Sequence, residues 1–134
     1  MSDVAYVDTS AFMKLVRKEP ESAAFARELS RWPRLVASEL LVVEVTRAAQ
    51  RQPQPQDALR LAADYLHTVA LRPLSRAVLR RATTLGPVAL RTLDALHLAT
   101  ALDFAARPDV FFTYDLRLAA GARQVGLRVL APGA

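Results

Sequence analysis

Apolar and polar positions follow one another along this chain in the pattern of strands separated by helices. Short apolar runs, typical of buried parallel strands, occur at 4–7, 35–37, 110–113 and 127–130, with a minor one at 68–71. The stretches between them carry apolar residues at helical spacing, at 9–17, 20–30, 39–50, 57–67, 75–86, 93–106 and up to 124. This order predicts an α/β fold in which helices cover both faces of a parallel sheet.

Small polar residues and a Gly-Pro pair set the expected helix boundaries. Ser38, Ser75 and Thr92 are each expected to cap the helix that follows. Gly86-Pro87 is expected to end the helix that Ser75 opens. The segment 93–106 is apolar around most of its circumference, which predicts a central helix.

The composition predicts a single globular domain spanning residues 1–134, because 52% of the residues are hydrophobic. The absence of cysteine excludes disulfides, thiolate metal ligands and a cysteine nucleophile. No apolar run reaches the ~18–20 residues needed to cross a bilayer, and Met1-Ser2-Asp3 lacks the layout of a secretion signal. We therefore expect a cytoplasmic protein without membrane association.

The positive charge of the chain is nearly all arginine. The net charge is +5, and Lys14 and Lys18 are the only lysines. Arginine suits phosphate recognition because its planar guanidinium presents five donors. The arginines are spread along the chain, so a compositional bias that merely solvates helix faces is an equally good interpretation.

Four acids lie beside apolar segments that are far apart in the sequence: Asp8, Glu44, Asp94 and Asp115. Asp8 and Asp115 each follow a predicted strand, at the edge where open α/β sheets bind ligands. Glu44 interrupts an apolar helix, and a buried carboxylate requires partners. Together the four acids predict one assembled site.

Taken singly, three of these acids also have a structural interpretation. Asp8 suits a turn or helix cap, and Glu44 is one turn before Arg47, a potential ion-pair partner. Asp94 at the start of a helix favours the helix dipole. His97, one turn after Asp94, fits packing as well as it fits orienting an acid or contacting a substrate.

Clustered carboxylates point to metal-dependent phosphodiester chemistry. They repel one another unless a cation neutralises them, and hard oxygen ligands suit Mg²⁺ or Mn²⁺. Such a site hydrolyses phosphodiesters by activating water and stabilising charge on the reacting oxygens. The sequence has no Gly-rich phosphate loop, no Gly-x-Ser-x-Gly elbow and only two histidines, which disfavours nucleotide-binding, serine-hydrolase and histidine-rich zinc sites.

Four segments resemble the acidic motifs of PIN domains, and more narrowly the VapC ribonuclease toxins of VapBC toxin–antitoxin pairs. They lie at 6–11, 38–48, 90–101 and 112–118 and read YVDTSA, SELLVVEVTRA, LRTLDALHLATA and FTYDLRL. The resemblance spans essentially the whole chain, and the segment around Asp94 is its most specific part. One departure is that no further acid follows Asp115, as one does in some members of the family.

The resemblance implies a three-layer α/β/α PIN domain with a central parallel sheet. It also implies an endoribonuclease that depends on Mg²⁺ or Mn²⁺. Asp8 and Asp94 would be the most direct metal ligands, and Glu44 and Asp115 would complete the cluster directly or through water. The hydroxyls implied to orient the site are those of Ser10 and Thr113.

The family further implies a homodimer and a VapB-like antitoxin that blocks the site with its C-terminal segment. The apolar segments 59–66 and 95–104 independently predict surface for a dimer contact. The main alternative is a catalytically silent PIN fold that binds RNA or protein. A phosphate-accepting receiver domain is disfavoured because no lysine follows Lys18, and a haloacid-dehalogenase-type phosphatase because position 10 is serine.

Overall fold

A computed structural model describes residues 3–134, so Met1 and Ser2, which begin the N-terminal segment considered above, lie outside it. Five strands occur in this range: β1 Val4–Val7, β2 Arg34–Ser38, β3 Val69–Arg72, β4 Val110–Phe112 and β5 Val129–Leu130. Seven helices accompany them: α1 Thr9–Val16, α2 Ser22–Leu29, α3 Leu40–Gln50, α4 Pro55–Leu66, α5 Arg76–Ala82, α6 Thr92–Leu102 and α7 Leu116–Gln124. None of these helices is both long and apolar enough to cross a bilayer.

All strand pairs in the sheet are parallel, in the order β3-β2-β1-β4-β5. The first strand therefore lies at the centre, between β2 and the late strand β4. Val7 is in register with Phe112, so β1 and β4 end side by side. This register brings together the residues that follow the two strands.

Side chains of β1 alternate between two apolar cores, as a strand buried on both faces requires. Ala5 and Val7 pack with α1, α2, α3 and α4 on one face. Tyr6 packs on the other face with α6 and α7, where its ring stacks on Phe111 at a centroid distance of 4.9 Å. The predicted three-layer α/β/α architecture is confirmed.

The central helix α6 is shorter than the sequence predicts, ending at Leu102 instead of continuing to 106. Arg72 binds Asp103 there through a 3.0 Å ion pair and a 3.1 Å bond to its carbonyl, and lies over the Phe104 ring. Arg72 thus satisfies a carbonyl group at the end of the helix, where carbonyls lack intrahelical partners. The apolar residues of α6 are mostly buried inside the domain, so the prediction that 95–104 provides surface for a dimer is wrong.

The Ser75 cap is confirmed, because its hydroxyl accepts a hydrogen bond from the Val78 N–H at 3.2 Å. The helix it opens ends at Ala82, before the expected Gly-Pro pair. The hydroxyls of Thr83 and Thr84 donate to carbonyls of the last turn. Such side-chain bonds compete with continuation of the helix.

Two other predicted caps are shifted by one residue. Ser38 ends β2, and Glu39 is the cap residue of α3, although the Ser38 hydroxyl still accepts the Leu40 N–H at 3.0 Å. Thr92 is the first residue of α6, and the extended backbone at Arg91 precedes it. Both shifts leave Glu44 and Asp94 within the helices predicted for them.

Candidate active site

The carboxyl edge of the sheet places two acids at adjacent strand ends. Asp8 follows β1 and caps α1, and Asp115 lies just beyond β4 and caps α7. Asp115 accepts the N–H groups of Arg117 and Leu118, each at 2.9 Å. A carboxylate at a helix N-terminus is stabilised by the helix dipole. The same two residues therefore follow the strands, cap the helices and line the edge of the sheet.

Asp8 is held by a dense hydrogen-bond network and is only 3% exposed. Its carboxylate accepts the Ala11 N–H at 2.8 Å, the Ser10 hydroxyl at 2.8 and 3.0 Å, and the Thr113 hydroxyl at 2.5 Å. Thr113 in turn accepts the Asp115 N–H at 3.0 Å. The two hydroxyls expected to orient the site are thus in direct contact with one of its acids.

Glu44 projects from α3 toward α1 and α6. One carboxylate oxygen accepts the Thr9 hydroxyl at 2.5 Å and lies 2.7 Å from Nε2 of His97. The alternative ion pair with Arg47 is wrong, because Glu44 is paired with His97 and Arg47 is exposed to solvent. The glutamate therefore faces the site and not the outer surface of its helix.

His97 is 2% exposed and connects Glu44 to the sheet. Its Nδ1 lies 2.9 Å from the hydroxyl oxygen of Tyr6, which also accepts the Ser38 N–H at 3.2 Å. The Tyr6 and His97 rings meet edge to face, with centroids 6.0 Å apart. A buried chain of polar contacts thus runs from β2 through β1 and α6 to Glu44.

Asp94 lies half-buried in the first turn of α6, and its carboxylate accepts no hydrogen bond from residues 3–134. Burial raises its pKa to about 6, and the charges of Asp115, Asp8 and Glu44 push it in the same direction. The other three candidate acids therefore all act electrostatically on Asp94. The structure brings together the residues that the sequence places far apart.

The carboxyl groups of Asp8 and Glu44 respond differently to burial. Burial raises the pKa of Asp8, although Thr113, Ala11 and Ser10 donate to its carboxylate. Burial also acts to raise the pKa of Glu44, but the bonds from His97 and Thr9 outweigh it and the pKa is lowered. Hydrogen bonds thus favour the anion at Glu44, whereas burial disfavours it at Asp8 and Asp94.

The donor chemistry of the cluster fits a hard divalent cation. Within residues 3–134, no lysine or arginine forms an ion pair with any of the four acids. In the same range, no three acidic or imidazole side chains are already arranged to hold a metal ion. Mg²⁺ sites commonly use one or two carboxylates and complete the shell with water and substrate phosphate oxygens, so carboxylate oxygens remain suitable ligands here.

Sequence reasoning missed two residues of the site, Thr9 and Tyr6. Thr9 directly follows Asp8, but the position of its partner Glu44 depends on how α3 packs. A buried tyrosine hydroxyl usually has a hydrogen-bond partner, so the position of Tyr6 in an apolar strand was a usable signal. For His97, the geometry favours contact with an acid over simple packing.

These features coincide with a known family. The family model described as PIN domain matches residues 5–124, so the chain belongs to the PIN-domain family. Within that family, it groups with the VapC proteins. It is 39% identical to ribonuclease VapC47 of Mycobacterium tuberculosis, over 96% of this chain and 97% of the relative.

Solved structures show the same fold at lower identity. VapC20 of Mycobacterium tuberculosis, described as a toxin that cleaves the sarcin-ricin loop, superposes with a TM-score of 0.75. It is 18% identical, and the match covers 96% of this chain and 99% of that one. VapBC2 of Rickettsia felis, solved on a DNA fragment of its promoter, matches with a TM-score of 0.73 and 12% identity over 95% and 97% of the chains.

Proposed function

We propose that this protein is an endoribonuclease that depends on Mg²⁺ or Mn²⁺ and is the toxin of a type II toxin–antitoxin pair. The observation that carries the proposal is the electrostatic state of Asp94. Its carboxyl has a pKa raised to about 6 by burial and by three other carboxylates, in a chain of net charge +5. The 39% identity to a protein named a ribonuclease supports the same activity.

In this proposal the four acids share one cation site. Asp8 and Asp94 would be direct ligands, and Glu44 and Asp115 would bind directly or through water. When bound, the cation would supply a more acidic water and would neutralise charge that develops on the phosphodiester. Ser10 and Thr113 keep the Asp8 carboxylate oriented through their hydroxyls.

The cleavage assay uses purified full-length protein and a fluorescent RNA containing structured loops. Cleavage is expected with Mn²⁺ or Mg²⁺ and not in EDTA, and re-addition of metal should restore it. Equal cleavage in chelator would contradict the proposal, as would absence of cleavage across a broad RNA pool.

The alternative is a catalytically silent module that binds RNA or protein through the same fold. One observation favours this alternative: in residues 3–134, no three side chains are already arranged as metal ligands. Such a module would retain RNA in a gel-shift assay without cutting it at any metal concentration. Metal-dependent cleavage lost in Asp94→Asn would exclude this alternative.

We further propose that residues 1–134 act as one cytoplasmic PIN domain controlled by a VapB-like antitoxin. The VapBC2 complex of similar fold supports this partner class. An antitoxin segment could present an arginine or lysine to the four carboxylates. The positive charge of that side chain would then take the place of the metal cation. Co-expression with the adjacent gene should give a stable complex whose nuclease activity is suppressed.

A homodimer is the proposed assembly of the toxin. Leu61 and Tyr65 on α4 are 42% and 37% exposed, which leaves apolar surface on one of the two segments expected to form a contact. Light scattering of the purified toxin should give twice the monomer mass, and Leu61→Asp should reduce it. A monomer at all concentrations would contradict this assembly and leave the nuclease proposal intact.

A further inference from the structure

The contacts around Glu44 connect the two helical layers of the domain. Glu44 is on α3, which packs in the core formed by one face of the sheet. His97 is on α6, which packs against the opposite face. Their 2.7 Å contact crosses the carboxyl edge of the sheet. The contact therefore fixes the position of Glu44 relative to α6, the helix that also carries Asp94.

Hydrogen-bond chemistry favours one arrangement of protons along this chain of contacts. An ionised Glu44 can only accept, so Nε2 of His97 is the donor across their 2.7 Å contact. In the neutral tautomer that carries this proton, Nδ1 accepts the phenol hydrogen of Tyr6, whose oxygen accepts the Ser38 N–H. In metal sites, a partner that fixes a ligand in this way commonly contributes ten- to a hundredfold to metal affinity.

We infer that His97, fixed by Tyr6, is the positioning residue that holds the Glu44 carboxylate at the candidate metal site. This inference rests on the proposed function for its catalytic meaning, but the placement of Glu44 is a property of the metal-free protein. Thr9 alone leaves the glutamate one donor on the α1 side. His97 supplies the donor from the side of Asp94, one helical turn away.

Three substitutions separate positioning from packing. In His97→Gln the amide nitrogen extends to the place of Nε2 and still donates to Glu44. In His97→Asn the shorter amide reaches only toward Tyr6, and in His97→Leu the polar contacts with Tyr6, Glu44 and the Thr9 hydroxyl are all lost. His67→Gln, at the exposed and only other histidine, is the matched control.

The measurements are Mn²⁺ affinity by calorimetry on the full chain, kcat and KM for RNA cleavage, and the Glu44 rotamer in metal-free crystal structures. The His97→Gln variant is expected to bind Mn²⁺ with an affinity within about threefold of wild type. The His97→Asn and His97→Leu variants should bind it about 10–100-fold more weakly. In His97→Asn and His97→Leu, the loss of cleavage activity should lower kcat and leave KM nearly unchanged. Glu44 should be displaced from its wild-type rotamer in both. In a Glu44→Gln background, His97→Asn should add no further loss of affinity.

Equal Mn²⁺ affinities for His97→Gln and His97→Asn would overturn the inference, as would losses of affinity that only follow the loss of thermal stability. If His97→Leu does not fold, the comparison of His97→Gln with His97→Asn decides the question. If wild type neither binds Mn²⁺ nor cleaves RNA, the proposed function fails. The Glu44 rotamer in metal-free Gln and Asn variants still tests the role of His97 in that case.

Discussion

Asp8 and Asp94 belong to the same acidic cluster, yet the fold holds them in opposite ways. Asp8 is almost completely buried and accepts bonds from a backbone N–H and two hydroxyls. Asp94 is half-buried, its carboxylate accepts none from the described residues, and burial together with the neighbouring carboxylates raises its pKa. Asp8 is therefore tied to the framework, whereas Asp94 is constrained mainly by its helix.

The difference separates two requirements of a cation site. A ligand with fixed orientation reduces the ordering required when the cation binds, and Asp8 meets this requirement. A carboxylate under repulsion gains most from a cation, because binding removes the repulsion. Asp94 meets the second requirement, so its substitution should affect function and stability in opposite directions.

The largest expected effect is on catalysis. Asp94→Asn should reduce RNA cleavage about a hundredfold or more, since a metal ion contributes several kcal/mol of charge stabilisation to the transition state. Single-turnover rates with saturating Mn²⁺ provide the measurement. Asp57→Asn, at an exposed acid of α4, should cleave as wild type does. Cleavage by Asp94→Asn at the wild-type rate would restrict Asp94 to a structural role at the helix start.

Stability should distinguish the two acids when each is replaced by alanine. Asp8→Ala removes a helix cap and leaves the buried Thr113 hydroxyl without its acceptor, which should cost about 2–3 kcal/mol. Asp94→Ala removes repulsion and should leave the free energy of unfolding unchanged or higher at pH 7.5. Urea denaturation without metal measures both. Similar losses for the two variants would remove the distinction.

The pH dependence of stability should also reveal the repulsion at Asp94. For the raised pKa of Asp94, the stability contribution is complete below the ordinary value of 3.8 and is lost as the pH rises through about 6. In metal-free protein, Asp94 alone should therefore contribute a loss of about 1–2 kcal/mol across this range, after allowance for solvent screening, and Glu44, whose pKa is lowered, contributes in the opposite direction. Chemical denaturation at several pH values gives the slope.

Asp94→Asn should make that slope shallower without removing it, because burial also raises the pKa of Asp8. Saturating Mn²⁺ should flatten the wild-type curve and leave the variant nearly unaffected. A steeper slope in the variant would show that Asp94 is stabilised as an anion.

The smallest expected effect concerns the hydroxyl that links Asp8 to Asp115. Thr113→Val keeps the shape but removes a donor to Asp8 and the acceptor of the Asp115 N–H. The expected loss of unfolding free energy is about 1 kcal/mol, with a modest loss of activity. Thr92→Val, at an exposed position of α6, should change neither quantity. Equal stability of both variants would mean that Asp8 is held without Thr113.

Local patterns were sufficient to predict the strands and the positions of the acids. Asp8 and Asp115 follow apolar runs and double as helix caps, so short-range signals located them. The partner of Glu44 was not predictable in this way, because Arg47 is near in sequence and His97 is 53 residues away. Likewise, Arg72, which binds Asp103 at the end of α6, is 31 residues away in the sequence.

The strand order also has a consequence for biosynthesis. β4 lies beside β1 in the sheet but is made near the end of the chain. A nascent chain that stops before residue 110 contains Asp8, Glu44 and Asp94 but lacks Thr113 and Asp115. Domains usually fold as units, so we expect cleavage activity only after the ribosome has translated β4 and the residues that follow it through Asp115.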